Sequence, residues 1–213
     1  MTDWGKTKAM RARLEREHKI ERRNGVDYYQ GRRIIERDSP IDNGVYLGSG
    51  QREAVFVDFE KGVQLKKLYE QAKARATEGN VIDRSKVLKA VYDVVSEAMP
   101  NGDEKSINDL LTRYGVKKDG MIILDVFIGE KQGICRHYEL ASAALVERFI
   151  KNGILRGKVS VDRNETADAG HGWCRYTSRS GEVAILDAAL GYFGLLKDAP
   201  GRAKWDYRRP ADR

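Results

Sequence analysis

The run Gly133-Ile134-Cys135-Arg136-His137 opens a segment, Cys135 to Lys151, that reads as a buried helix. Ala141, Ala143 and Ala144 let neighbouring elements approach closely. Leu145 and Phe149 continue the packing face, and Asn152-Gly153 supplies a stop. A cysteine in the first turn of such a helix meets unpaired N–H groups and the positive end of the helix dipole, both of which favour a thiolate.

Two further stretches supply what a thiol needs to become a nucleophile. Arg156–Val161, His171–Thr177 and Glu182–Asp187 are strand candidates, with Ser178-Arg179-Ser180-Gly181 as the turn between the last two. His171 starts one strand and Asp187 ends the next, so the pairing predicts both side chains at one end of the hairpin. Cys135, His171 and Asp187 then read as nucleophile, base and orienting acid. The backbone N–H of Cys135, with a polar side chain that the sequence leaves unassigned, would form the oxyanion hole.

Gly-Ile-Cys-Arg-His-Tyr-Glu before an Ala-rich helix, then Gly-His-Gly-Trp, then Ile-Leu-Asp-Ala, resembles the core of the transglutaminase-like superfamily over about residues 82–192. That papain-like group holds transglutaminases, peptide N-glycanases and many bacterial cysteine proteases or amidases. The resemblance implies an α+β fold in which the cysteine helix packs on an antiparallel sheet bearing the histidine and the aspartate. It implies acyl transfer from a protein or peptide amide through a thioester, with no cofactor, the acyl group passing to water or to an amine. Hydrolysis is expected ahead of transamidation because nothing in the sequence identifies an amine site. Trp173 matches the tryptophan two residues after the family's histidine and is assigned to substrate binding. Ala188 where the family often has proline, Cys174 where an aliphatic residue is common, and His137 where aspartate is frequent are departures.

Two other readings stay open. Cys135-x-His137 and His171-x-x-Cys174 use both cysteines and two of the three histidines, a donor set that zinc would accept. Residues i and i+2 of a helix diverge, however, and residues three apart on a strand face opposite ways. The second alternative is a binding module with a transglutaminase-like shell and no catalysis.

Charge is concentrated at the ends. Of the net +7, residues 1–37 carry +5 and residues 201–213 carry +3, which leaves −1 for the 163 residues between. The ends therefore read as a basic arm (1–40) and a basic tail (201–213) that could hold an acidic partner or nucleic acid through Trp4, Tyr28, Tyr29, Trp205 and Tyr207. Residues 41–79 read as an extension. It holds a hairpin around Gly48-Ser49-Gly50 and a helix over about 61–77, with a boundary at Gly79-Asn80 before a catalytic domain over 80–200. Further helices are predicted over about 83–98 and 104–114, and Met121–Ile128 as extended or irregular. Residues 163–169 form a polar loop, a candidate gate. No apolar run reaches the roughly 20 residues of a membrane span, and the N-terminus has no apolar signal region, so a cytoplasmic protein is expected.

Overall fold

Helix-period and strand-period apolar residues assemble here into an α+β architecture. The structure, a computed structural model, describes residues 5–48, 53–100, 102–165, 170–200 and 206–212. The first half runs α1 (Gly5–Arg16), β1 (Ile20–Arg23), β2 (Val26–Tyr29), β3 (Arg32–Ile34), β4 (Gly44–Leu47), β5 (Ala54–Phe56), α2 (Val63–Arg75), β6 (Thr77–Glu78), β7 (Val81–Ile82) and α3 (Arg84–Ala98). The second half runs α4 (Glu104–Arg113), β8 (Met121–Ile123), α5 (Leu124–Gly129), α6 (Cys135–Lys151), β9 (Gly157–Glu165), β10 (Gly170–Ser178), β11 (Val183–Asp187) and β12 (Tyr192–Leu195). One sheet is mixed and six-stranded, in the order β1-β2-β3-β4-β5-β8. A second is antiparallel, in the order β12-β11-β10-β9.

Helix α6 lies at the centre because its small and apolar residues face in several directions. It packs on β9, β10 and β11 and also touches α2, α3 and α5. Leu140, Ala141, Ala143, Leu145, Val146 and Phe149 are all fully buried. Cutting Phe149 back to alanine would cost about 3–5 kcal/mol, the usual figure for a large buried aromatic.

Local chemistry sets where the other helices start. Asp83 caps α3 by accepting the Ser85 N–H at 2.9 Å. Asp103 and Ser106 close a reciprocal capping box at α4, with bonds of 2.7 and 3.0 Å. Gln64 and Leu65, in the first turn of α2, donate their N–H groups to Asp125 at 3.0 and 2.8 Å. That task explains a carboxylate inside the apolar run 121–128. The run is three residues of strand followed by a turn and a half of helix, because β8 pairs in parallel with β5 and Leu124 then turns inward.

The N-terminal third departs from the sequence expectation. Residues 20–34, expected within a basic arm, form three strands of the mixed sheet. Leu14 of α1 is buried with Tyr29, Ile34, Val45, Leu47 and Ala54. The weak apolar stripe of α1 concealed this, because Leu14 is one contact in a pocket supplied by strands distant in sequence. Strands β4 and β5 do pair as a hairpin, though its turn residues 49–52 lie outside the described residues. Gly79-Asn80 is the turn of the two-stranded β6–β7 ribbon, and one apolar cluster runs unbroken from Ile35 to Leu186 on either side of it. Residues 41–79 are therefore part of the same core as α6.

Candidate active site

Cys135 occupies the first position of α6, where the N–H groups of the opening turn lack intrahelical carbonyl partners. His137, two residues on, reaches back so that its Nδ1 accepts the Ile134 N–H at 3.1 Å and fixes the entry of the chain. The ring of His137 is fully buried and stacks on Phe127 at a centroid distance of 3.9 Å. Beside it Arg136 donates through Nε to Glu53 at 2.8 Å, so a buried carboxylate from the strand side of the molecule holds the start of the helix. Burial pushes the Glu53 carboxyl up, but His137 and Arg136 outweigh it and bring its pKa down to about 2.

On β10, His171 is buried and its Nε2 lies 2.6 Å from Asp187 Oδ2 at the end of β11. The other ring nitrogen, Nδ1, is left for the thiol, and Cys135 and His171 are hydrogen-bonded to each other. The Gly172 backbone N–H also favours the anionic form of the Cys135 sulfur. Asp187 is itself held, through Oδ1 by the Leu190 N–H at 3.0 Å and through Oδ2 by the Tyr207 hydroxyl at 2.7 Å. The three residues expected to form a triad are thus brought together.

The electrostatics agree with an ion pair. Burial alone would raise the Cys135 pKa, but the His171 imidazole, Arg136 and the Gly172 N–H bring it below the ordinary thiol value. Burial would lower His171, yet Asp187 and the Cys135 sulfur lift it to about 9. Both shifts favour a thiolate beside an imidazolium. A cleft of about 590 Å³ opens onto Cys135, walled by Pro100, Gly102 and Asp103 from the loop before α4 and by Ile134, Tyr138 and Ala189. Gly102 is required there, since a Cβ would sit 2.0 Å from the Gly133 carbonyl oxygen.

Trp173 is not placed for the substrate contact assigned to it. Its side chain has 0% exposure and packs edge-on against Tyr207 at 4.9 Å, among Ile185 and Leu196, away from the cleft. Alternation along β10 explains the placing: Trp173 shares the strand face of His171, and the C-terminal segment covers that face. Of the zinc set Cys135 and His171 meet, but Cys174 and His137 do not join them. Cys174 points into the core under α6 and His137 into the Phe127 pocket. Among the described residues no three His, Cys, Asp or Glu side chains group to hold a metal ion. Of the candidate gate, residues 166–169 lie outside the described residues, while Arg163 and Asn164 belong to β9 and pair with Gly172 and His171.

Sequence reasoning missed Glu139, one turn after Cys135. It is buried, and neither of its carboxyl oxygens has a hydrogen-bond partner. Burial first, then the nearby Cys135 and Asp187 charges, hold it protonated well above the usual carboxylate range, against His171 and Arg136. It fits only because residue 172 is glycine: a Cβ there would lie 1.5 Å from Glu139 Oε2. The i, i+4 spacing from Cys135 was a readable signal. Glu53 and Tyr207 had none, being 82 and 72 residues from the thiol.

Compared with models of known protein families, with curated proteins and with solved structures, the chain matches none.

Proposed function

We propose that the protein is a papain-like, transglutaminase-like cysteine acyltransferase acting on a protein or peptide amide, with hydrolysis as its principal outcome. The observation that carries this is the chain of contacts from the Cys135 thiol through His171 to Asp187, 2.6 Å apart at the last step, at the edge of an open cleft. In this reading the thiolate attacks the amide carbonyl, and the first-turn N–H groups of α6 stabilise the oxyanion. The imidazolium of His171 protonates the leaving amine, releasing it and forming the thioester. Neutral His171 then takes a proton from water, which attacks the thioester and frees the acid. Asp187 holds the ring and stabilises its charged form throughout.

The charged ends favour this reading over a binding module. Arg13 is paired with Asp119 at 2.5 Å, Arg32 with Asp58 at 2.9 Å, and Arg209 with Asp162 at 2.6 Å. Three of the sixteen lysines and arginines in residues 1–37 and 201–213 are therefore used inside the chain.

The test is incubation with an unfolded protein and with glutamine- and asparagine-bearing peptides, followed by mass spectrometry for new termini or deamidated side chains. Products that vanish with Cys135→Ala are the expected result. Intact substrates in every case, from a protein whose Cys135 is demonstrably thiolate, would sink the proposal.

A further inference from the structure

The C-terminal residues 206–212, read from the sequence as a basic tail, lie instead across the face of the antiparallel sheet opposite α6. Tyr207 is 2% exposed, edge-on to Trp173 and stacked on Tyr192 at 5.4 Å. Its hydroxyl donates to Asp187 Oδ2 at 2.7 Å, the same oxygen that accepts from His171. Two arginine clamps hold the segment in place. Asp212 receives both guanidinium nitrogens of Arg175 at 2.8 and 2.6 Å. Arg209 spans the fully buried Asp162 at 2.6 Å on each oxygen and reaches Asp38 at 3.0 Å. These clamps tie the tail to β9, to β10 and to the N-terminal segment.

We propose that Tyr207 is a positioning residue for His171 and Asp187, and that residues 206–212 form a strap which delivers it, making the C-terminus a working part of the site. Its catalytic meaning rests on the acyl-transfer reading, while its effect on the imidazole does not. A carboxylate oxygen shared by two donors gives less of its charge to either. Tyr207 therefore tempers the pull of Asp187 on His171 and prevents the carboxylate from turning away. It keeps the imidazolium acidic enough to hand its proton to a leaving amine. The charged and titratable groups facing this pair are Cys135 and Glu139 from α6, with Arg136 beyond them, and Tyr207 from the strap.

The test is an NMR titration of the histidine rings in the full chain. Its three histidines are His18, His137 and His171, and the His171 signal is assigned by its loss in His171→Asn. Tyr207→Phe keeps the ring packing and removes only the hydroxyl. We expect it to move the His171 pKa upward by about half a pH unit. In a chain carrying Asp187→Asn, adding Tyr207→Phe should move it no further. A His171 titration that does not rise in Tyr207→Phe, or that rises equally without the Asp187 carboxylate, overturns the proposal. A shift that appears as expected in a protein with no amide-cleaving activity supports the role of Tyr207 and counts against acyl transfer alone.

Discussion

Asp187 Oδ2 contacts His171 Nε2 at 2.6 Å although the two residues are not opposite each other in the sheet. The register pairs Cys174 with Leu186, so one step further Asp187 faces Trp173. His171 is then its diagonal neighbour on the same face, a separation of about 7–8 Å that the imidazole ring reaches across. A one-residue slip would send Asp187 to the α6 face and dismantle the site.

If the thiolate is held by His171, labelling of the two cysteines by iodoacetamide separates them. Cys135 should react at pH 6.5, while Cys174, fully buried with its thiol pushed up by burial, should not. His171→Ala should slow the Cys135 reaction about tenfold or more. Mass spectrometry of the two peptides over pH 5–9 gives the answer, and equal labelling of Cys135 in both proteins would count against the pair.

Glu139 predicts an unusual slope of stability with pH. Its folded pKa lies above the unfolded value of 4.5, so its stabilising share is complete below 4.5 and is lost as pH rises toward the folded pKa. Glu139→Gln removes that loss. The melting temperature of the variant should exceed that of the parent at pH 8, and the gap should close near pH 4.5. A gap that stays constant between those values would show that Glu139 does not titrate in this way.

Gly172→Ala puts a Cβ into the Glu139 carboxyl. Overpacking of this kind costs about 1–3 kcal/mol. Shortening the partner should restore the loss, so urea denaturation of Gly172→Ala, Glu139→Ala and the double variant should give strong non-additivity. Additive losses would mean that the contact is relieved some other way.

Glu53→Gln should destabilise the fold by about 3–5 kcal/mol, since it leaves the buried Arg136 only the exposed Glu104 carboxylate at 3.7 Å. Glu53 has a depressed pKa, so its share of stability is present above the unfolded 4.5 and is lost as pH falls through about 2. Acid unfolding followed by circular dichroism should show the parent losing stability between those pH values and the variant losing less.

Much of the half from residue 83 onward was readable. Helix α6 begins and ends where its small-residue run and Asn152-Gly153 place it. Helices α3 and α4 follow their 3.6-residue stripes, and the three strand candidates after residue 155 are β9, β10 and β11. The strands at 20–34 were not readable, because short, charged strands bury only alternate residues and carry little period. Trp173 was misassigned because a motif states which residue is present and not which face of the strand is covered.

By itself the sequence determined the local elements and the order Cys135, His171, Asp187, since propensity, capping and periodicity act over a few residues. The tertiary structure alone decided what surrounds them. Glu53 under Arg136, Glu139 against Gly172 and Tyr207 on Asp187 are contacts between residues 33 to 83 positions apart, or 20 in the last case. Burial and charge at such distances depend on how helix and sheets pack, and no local pattern encodes that.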